Sequence, residues 1–312
     1  MKYTDKAGKK ISAMSLGTVQ LGMNYGIANE GGQPKEEQSF EMLKTALESG
    51  ITSLDTARAY GNSEEVLGRF FKTLKGDMPF ITTKVIDITG ESEAEVEKSV
   101  VSCIETSLEK LGLSKVNCVM LHQADSLVNN GDYVAKAMAG LIKRGYTDIV
   151  GASVYTGDEL ENMFKYDVYT ATQIPMSIFD QRLIASGMTD KLADRGITVF
   201  VRSVFLQGLF FLDPDKITDP ILLEHAAPKI RLLRDCAEHE GMSIAELAIS
   251  YMRDIRGVTS LVLGADTADQ VKANAAYFET KSVSEETADT IKKAFASVNI
   301  PEIMKVLSRP KK

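Results

Sequence analysis

The chain has few cysteines, no excess of positive charge and no long apolar run, and each absence excludes a class of protein. Its three cysteines, Cys103, Cys118 and Cys236, are scattered and odd in number, so no disulfide framework or metal-ligand spacing is visible and no metal is expected. With 36 basic against 43 acidic residues, the net charge of −7 argues against a nucleic-acid-binding surface. No stretch approaches the roughly 18 consecutive apolar residues of a membrane span, and residues 1–10 are too polar for a signal peptide. We expect a cytoplasmic protein with no nucleic-acid or membrane partner.

Short apolar runs alternate with longer amphipathic segments along almost the whole chain. The apolar runs predict eight strands, at 14–18, 51–54, 80–83, 117–121, 148–152, 170–174, 198–201 and 260–263. The amphipathic segments predict helices at 37–49, 63–74, 92–111, 132–143, 157–164, 188–195, 228–240, 243–255 and 284–298. Asn62 with Glu65, and Ser92 with Glu95, have the spacing of a capping box. Strands that are apolar throughout are buried on both faces and belong to a parallel sheet.

Strict alternation of strands and helices allows either a doubly wound sheet or a closed barrel. Eight units in about 300 residues favour an α/β fold of the (β/α)8 TIM-barrel type. A dinucleotide-binding doubly wound sheet would need a glycine fingerprint directly after its first strand, and residues 17–22 contain glycines at the wrong spacing. Residues 1–12 read as an N-terminal β-hairpin, and extra helices are expected near the C-terminus. We predict one barrel domain spanning 1–312.

Four ionisable residues stand at or near consecutive strand ends of this predicted barrel. Asp55 follows the second strand, and Tyr60 lies five residues on in a glycine-bearing turn. Lys84 follows the third strand and His122 the fourth. Each alone has an ordinary structural explanation, such as a buried ion pair. Because active sites of such barrels lie at the C-terminal ends of the strands, the four together predict one site.

The chemistry that suits this group is proton transfer to or from an oxygen atom. A free phenol has a pKa of about 10, and a neighbouring ammonium group would lower it. Lys84 can supply that ammonium, with Asp55 holding it charged and aimed. Tyr60 then serves as general acid or base, while His122 donates a hydrogen bond that orients the substrate. Hydride transfer needs no nucleophile or metal beside these groups, only a bound cofactor.

These residues carry a resemblance to the aldo-keto reductases. The stretch Asp55-Thr56-Ala57-x-x-Tyr60-Gly61-x-Ser63-Glu64 is close to that family's central signature. Asp55, Tyr60, Lys84 and His122 match its catalytic tetrad, and the resemblance extends from end to end of the chain. It implies an eight-stranded barrel with an N-terminal hairpin, and NADP(H) or NAD(H) lying extended across the barrel mouth.

The resemblance also carries over positions expected to bind the cofactor. Ser153 and Gln173 would hydrogen-bond the nicotinamide carboxamide, the loop at 203–209 would enclose the pyrophosphate, and residues 264–274 would hold the adenosine. The predicted cofactor-binding residues are Gly17, Thr18, Ser153, Gln173, Arg202, Ser203, Phe205, Gln207, Gly208, Gly264, Asp266, Gln270 and Asn274. Tyr25 and Phe205 are predicted to line the substrate pocket.

Three positions depart from the family pattern. Val154 stands where an asparagine is usual, so one carboxamide contact is expected to be lost. Arg202 replaces an aromatic residue that stacks on the nicotinamide, and its charge would disfavour the cationic oxidised ring. Asp266 lies where many NADPH-using members receive the 2′-phosphate. A carboxylate would repel a phosphate and accept hydrogen bonds from a free hydroxyl, which favours NADH; the alternative is that Asp266 only caps the following helix.

The predicted function is reduction of an aldehyde, ketone or sugar carbonyl, or the reverse oxidation, with Tyr60 as proton donor or acceptor. One alternative is a cofactor-binding sensor or regulatory protein with little turnover, and another is a sugar-modifying step such as dehydration or epimerisation. The sequence leaves open the physiological substrate, the direction of reaction and the oligomeric state. Arg58 lies between Asp55 and Tyr60, and the sequence assigns it no role beyond that of a solvated loop charge.

Overall fold

A computed structural model describes residues 1–26 and 31–309. Its centre is a closed barrel of eight parallel strands that neighbour one another in chain order, the last pairing with the first. The barrel strands are β3 (Met14–Gly17), β4 (Ser53–Asp55), β5 (Phe80–Val85), β6 (Val116–Leu121), β7 (Thr147–Ser153), β8 (Tyr169–Pro175), β9 (Thr198–Arg202) and β10 (Ser260–Leu263). The predicted (β/α)8 barrel is confirmed.

A two-stranded hairpin closes the barrel at the N-terminal ends of its strands. It consists of β1 (Tyr3–Lys6) and β2 (Lys9–Ser12), paired antiparallel as predicted. The side chain of Ile11 is fully buried and packs with residues of the barrel interior. The opposite end of the barrel, where the strands finish, is thereby left as the open mouth.

Helices surround the barrel and continue beyond its last strand. They are α1 (Val19–Gly22), α2 (Glu36–Glu48), α3 (Ser63–Phe71), α4 (Glu93–Leu111), α5 (Gly131–Lys143), α6 (Gly157–Met163), α7 (Arg182–Ala185), α8 (Met188–Asp194), α9 (Pro220–His225), α10 (Ala227–Glu240), α11 (Ile244–Arg253), α12 (Ala268–Tyr277), α13 (Glu285–Phe295) and α14 (Ile300–Leu307). Short 3-10 helices occupy Ala124–Leu127 and Leu206–Phe211. Within 1–26 and 31–309, none of the helices combines the length and apolar character needed to span a bilayer.

The apolar core has two parts, one inside the barrel and one between the strands and the helices. The interior part includes Phe80 and Phe200, whose ring centroids lie 6.3 Å apart. Cys118 is fully buried in the same cluster, where it packs as a small apolar side chain. Truncating a buried phenylalanine such as Phe200 to alanine typically costs about 3–5 kcal/mol. This packing supplies the rigid base for the groups at the mouth.

The start of β4 differs from the prediction, because two residues expected in the strand have other partners. The amide of Ile51 donates to the carbonyl of Ala46 at the end of α2, at 3.0 Å. The amide of Thr52 donates to the hydroxyl of Ser12 in the hairpin, at 2.8 Å. The strand therefore begins at Ser53. The carboxyl end, which positions the site, lies one residue beyond the predicted end.

The predicted start of α4 is confirmed, the predicted cap of α3 is wrong, and α14 has no counterpart in the prediction. Ser92 and Glu95 form the predicted capping box. The box predicted for Asn62 with Glu65 is wrong, because Asn62 makes no cap bond and its Oδ1 instead accepts a hydrogen bond from Gln33 at 2.8 Å. Helix α14 was not predicted, although Asn299 caps it and a proline follows in its first turn.

Candidate active site

The four ionisable residues singled out in the sequence meet at the mouth of the barrel. Asp55 is the last residue of β4, and His122 directly follows β6. Lys84 is the next-to-last residue of β5, since that strand runs two residues further than predicted. Tyr60 lies in the turn between β4 and α3. The barrel therefore brings the four side chains together, while their catalytic roles stay predictions.

Lys84 is the centre of this group. Its Nζ donates to both carboxylate oxygens of Asp55, each at 2.8 Å, and to the carbonyl of Thr56 at 2.9 Å, and it reaches the Tyr60 hydroxyl at 3.3 Å. Both ion-pair partners are buried. Such a pair is stable only when its remaining polar atoms are also satisfied. Gln173 contributes to this by donating its Nε2 to Asp55 Oδ1 at 2.7 Å.

Two glycines allow the Tyr60 turn to pack directly against α1. A Cβ atom on Gly22 would lie 1.8 Å from the carbonyl oxygen of Tyr60, and one on Gly61 would lie 2.2 Å from the carbonyl oxygen of Gly22. Gly61 also has a φ of 55°, which favours glycine. Beneath the turn, the Ser63 hydroxyl donates to Thr18 Oγ1 at 2.8 Å. Backbone sterics and buried hydroxyls therefore fix the position of the Tyr60 backbone.

Burial dominates the electrostatics of the group. It raises the pKa of Tyr60 above its ordinary value, because the opposing influence of Lys84 is smaller. This direction is opposite to the one expected from the sequence, where Lys84 was predicted to prevail. Burial, followed by the positive charge of Lys84, lowers the pKa of His122 to about 4. For Lys84, burial acts to lower the pKa of the ammonium group. The charge of Asp55 and the hydrogen bonds outweigh burial, so the pKa of Lys84 lies above its ordinary value.

At neutral pH the group therefore contains a protonated phenol and a neutral imidazole. The rings of Tyr60 and His122 meet edge to face, with centroids 5.8 Å apart and an interplanar angle of 87°. Lys84 lies 4.9 Å from the centroid of the Tyr60 ring. The arrangement can donate a proton from Tyr60 and leave the resulting phenolate beside an ammonium group.

A cavity of about 620 Å³ opens above these residues. It is lined by Asp55, Tyr60 and His122, whereas Lys84 lies behind them. All the predicted cofactor-binding and substrate-pocket residues line the same cavity: Gly17, Thr18, Tyr25, Ser153, Gln173, Arg202, Ser203, Phe205, Gln207, Gly208, Gly264, Asp266, Gln270 and Asn274. Arg58 is not among the lining residues. The volume falls within the range of about 300–1,000 Å³ that small-molecule sites usually have.

Two residues were predicted to bind the carboxamide. Ser153 is the last residue of β7, and Gln173 lies within β8. Ser153 and Gln173 are both almost fully buried and are neighbours in the barrel register. The Nε2 of Gln173 is already bonded to Asp55, while its Oε1 has no hydrogen bond within the described ranges. Val154 is fully buried in the apolar core and does not line the cavity, so it offers nothing to a ligand there.

The loop after β9 has unusual backbone geometry. Three non-glycine residues have positive φ, namely Ser203 at 64°, Leu206 at 46° and Gln207 at 57°, and Gly208 follows at 95°. Left-handed conformations at non-glycine positions are uncommon and recur at ligand-binding loops. Phe205, Gln207, Gly208 and Phe211 from this part of the chain line the cavity.

The segment after β10 is held by its own side chains. The amide of Asp266 donates to Gln270 Oε1 at 2.7 Å, and Asn274 Nδ2 donates to the carbonyl of Gly264 at 3.4 Å. The N-cap of α12 is Thr267, whose hydroxyl accepts from the amide of Gln270. The alternative in which Asp266 serves as that cap is therefore wrong. Its side chain stays a candidate for contact with a ligand.

Several cavity residues were missed by the sequence reasoning. They are Val19, Gln20, Gly26, Tyr155, Ala245, Val262, Leu263 and Tyr277. Gln20 packs so closely that a Cβ on Gly264 would lie 2.2 Å from its Nε2. Its position two residues after Thr18, within the glycine-containing stretch 17–22, was a usable signal. Tyr155 had no such signal, because its contact with Arg202 depends on the tertiary structure.

Buried polar atoms in the cavity wall fit a polar ligand of cofactor type. Gln20 Oε1 and Arg202 Nη2 are inaccessible to water and have no hydrogen-bond partner in the part of the chain that is described. Such atoms usually have partners in folded proteins, so each marks a place where a ligand can complete a bond. The donors and acceptors around them, from Ser153 to Asn274, suit the amide, hydroxyl and phosphate groups of a dinucleotide.

Comparisons with known proteins show the family to which this chain belongs. The model of the aldo/keto reductase family matches residues 13–296. L-glyceraldehyde 3-phosphate reductase of Escherichia coli K12 is 25% identical over 311 aligned positions, covering 88% of this chain and 86% of that protein. Aldo-keto reductase YhdN of Bacillus subtilis is 25% identical over 296 positions, covering 88% and 87%.

Solved structures show the same fold. The holo form of aldo-keto reductase AKR11C1 from Bacillus halodurans superposes with a TM-score of 0.74 at 23% identity, covering 94% of this chain and 96% of that one. The residues that the family model matches contain all eight barrel strands and the positions of the four ionisable residues. The chain belongs to the aldo-keto reductase family and is an NAD(P)H-dependent carbonyl oxidoreductase.

Proposed function

We propose that this enzyme reduces the carbonyl group of a small aldehyde, ketone or sugar, and that Tyr60 delivers the proton to the carbonyl oxygen. The observation that carries the proposal is the position of Lys84 Nζ, 2.8 Å from Asp55 and 3.3 Å from the Tyr60 hydroxyl. A nicotinamide cofactor, when bound, supplies the hydride. The chain itself must supply a proton donor, groups that orient the substrate carbonyl, and a cavity that excludes water.

Tyr60 is suited to the reducing direction. Since burial raises its pKa, the phenol keeps its proton at neutral pH and can give it to the alkoxide oxygen that forms during reduction. The phenolate left behind lies beside the ammonium of Lys84, which stabilises it. Asp55 holds Lys84 in place through two hydrogen bonds. We assign Tyr60 as the general acid, with Lys84 and Asp55 as its support.

His122 is assigned the role of orienting the substrate. Its pKa of about 4 keeps the imidazole neutral near pH 7, so it donates a hydrogen bond without competing with Tyr60 as an acid. Its edge-to-face contact with the Tyr60 ring sets the angle between the two donors. A carbonyl oxygen held by both donors would be fixed in a reactive geometry.

The remaining cavity residues are assigned to the cofactor and the substrate. Ser153 and Gln173 would hold the carboxamide, the loop after β9 the pyrophosphate, and the segment after β10 the adenosine. The carboxylate of Asp266 would accept hydrogen bonds from a free ribose hydroxyl and repel a 2′-phosphate. We infer that NADH is used as well as, or in place of, NADPH. Tyr25 and Phe205 would form the wall against the substrate.

The substitution Tyr60→Phe tests the proposal. It removes the hydroxyl while keeping the ring against His122, so we expect turnover to fall by about 10²–10⁴-fold with little change in cofactor affinity. Reduction of a panel of aldehydes, ketones and aldoses should be followed through the absorbance of the reduced nicotinamide. Tyr146→Phe is the matched control, because that hydroxyl contacts Glu105 on the surface.

Three outcomes would contradict the proposal in different ways. Turnover of Tyr60→Phe near the wild-type value would exclude Tyr60 as the proton donor. A wild type that binds cofactor tightly but reduces nothing in the panel would favour the sensor alternative. Product analysis by NMR that found a dehydrated or epimerised sugar would replace simple reduction with a sugar-modifying step.

A further inference from the structure

Arg202 places a cation at the reacting end of the cavity, with no anionic partner among the residues that the structure describes. It is the last residue of β9, and its side chain lines the cavity. Its guanidinium carbon lies 4.2 Å from the centroid of the Tyr155 ring. Its Nη2 is buried and unbonded, and no carboxylate of residues 1–26 or 31–309 comes within ion-pair distance of it. The residue as a whole is only partly buried, but a donor atom that is shielded from water usually has a hydrogen-bond partner.

The other charges near the reacting end cancel one another. Asp55 and Lys84 form a closed ion pair, and His122 is neutral near pH 7. The other carboxylate that lines the cavity, Asp266, lies in the segment after β10. Counted over residues 1–26 and 31–309, Arg202 therefore gives this end of the cavity one unbalanced positive charge. Its influence reaches both Tyr60 and His122, as the smallest of several effects on their protonation.

We propose that Arg202 makes the site distinguish the two redox forms of its nicotinamide cofactor by charge, holding the neutral reduced ring more tightly than the cationic oxidised ring. This inference rests on the proposed function, because it requires the nicotinamide to lie at the end of the cavity that contains Tyr60. The guanidinium plane can stack flat on a neutral ring. A ring with a positive charge meets the same plane with electrostatic repulsion.

The size of the effect follows from Coulomb's law. Two unit charges about 6 Å apart, at the effective dielectric constant of about 20–40 that suits partly buried sites, repel enough to change an equilibrium constant by about 10- to 100-fold. The rest of the dinucleotide is identical in both redox forms. The contributions of its phosphates and adenosine to binding therefore cancel in the ratio of the two dissociation constants. The ratio reports the environment of the nicotinamide ring alone.

The consequence would be an enzyme adapted to reduction. Reduced cofactor would bind tightly, and oxidised cofactor would be released readily after the hydride has left it. A site that bound the reduced and oxidised cofactor equally would not favour the reducing direction in this way. Arg202 would thus act as a specificity-determining residue toward the redox state of the cofactor, separately from the proton transfer by Tyr60.

Calorimetric titration with NADH, NAD⁺, NADPH and NADP⁺ tests the proposal without any turnover. For the wild type we expect the oxidised form of each pair to bind at least about 10-fold more weakly than the reduced form. Arg202→Gln keeps a planar polar end but removes the charge, and should reduce that ratio by about 10-fold. Arg202→Lys keeps the charge without the plane, and should preserve most of the ratio. Arg58→Gln is the control, since it removes an equal charge from the Tyr60 loop without lining the cavity.

The outcomes separate this inference from the proposed function. An unchanged ratio in Arg202→Gln would overturn the inference, as would a loss in Arg202→Lys equal to that in Arg202→Gln, which would point to stacking in place of charge. Failure of the wild type to bind any of the four dinucleotides would instead overturn the assignment of the cavity. Near-ultraviolet circular dichroism of each variant would verify that the barrel is intact.

Discussion

The two ends of the cavity are built in different ways. At the reacting end, the buried side chains of Asp55 and Lys84 and the partly buried side chain of Tyr60 are joined by direct hydrogen bonds. At the opposite end, residues expected to bind adenosine are only half-buried or exposed and bond to one another, with Gln270 on the amide of Asp266. The first arrangement is ready for chemistry before a ligand arrives. The second must exchange internal bonds for bonds to the cofactor.

This difference predicts how substitutions at the two ends should behave. A rigid, buried group loses both stability and turnover when one member is removed, because its partners cannot find water or another bond. A more exposed segment that bonds to itself can adapt, so changes there should alter cofactor preference far more than turnover. The following predictions test this contrast, from the largest expected effect to the smallest.

The largest effect is expected from Lys84→Met. It leaves the Asp55 carboxylate buried with Gln173 as its side-chain donor, so we expect the free energy of unfolding to fall by about 3–5 kcal/mol. Turnover should fall by about 10²-fold or more, because Tyr60 loses its charged neighbour. Chemical denaturation and initial rates measure the two effects.

A double variant makes this prediction sharper. Asp55→Asn combined with Lys84→Met removes both charges, so most of the lost stability should return while turnover does not. Lys136→Met is the control, since Lys136 forms an exposed pair with Glu93 and should cost less than about 1 kcal/mol. If Lys84→Met is as mild as this control, the reacting end is not the closed unit described above.

Gly22→Ala should disturb the reacting end without touching a charge. Its new methyl group would lie 1.8 Å from the Tyr60 carbonyl oxygen, so the turn must move. A displacement of about 1 Å can cost 10²-fold in rate, and we expect turnover to fall by about 10- to 100-fold with cofactor affinity nearly unchanged. Gly140→Ala is the control, because the nearest atom to its new methyl is 3.8 Å away.

The Gly22 prediction has a clear contrary result. A variant that loses cofactor affinity and turnover in parallel would mean that α1 supports the cavity in general, with no particular hold on Tyr60. Stability measured alongside by thermal unfolding distinguishes a local shift of the turn from a loss of the fold.

The smallest effect on turnover is expected at Asp266. If its carboxylate repels a 2′-phosphate, Asp266→Ser should raise the ratio of kcat/KM for NADPH over NADH by about 10-fold and leave the better of the two kcat values nearly unchanged. Asp269→Asn, in the first turn of α12 and outside the cavity lining, is the control. A wild type that already prefers NADPH strongly would exclude this role.

Local patterns in the sequence were enough for much of the fold. The apolar runs predicted all eight barrel strands within a few residues, because strands buried on both faces must be apolar throughout. Where the prediction failed, a tertiary contact decided the outcome. The amide of Thr52 bonds to the hairpin, and β4 begins one residue later. Asn62 accepts a bond from Gln33 in place of capping α3. No local pattern contains those partners.

The same division holds for the site. The identities and order of Asp55, Tyr60, Lys84 and His122 were determined by the sequence, since strand ends can be located from the apolar runs and the barrel brings those ends together. Only the tertiary structure decided their electrostatics, because the depth of burial determines whether desolvation or Lys84 governs the protonation of Tyr60. It also decided that Gln173 supports Asp55 and that Arg202 has no counter-charge within the described part of the chain. Those outcomes depend on distances between side chains far apart in the chain, which no spacing along the sequence encodes.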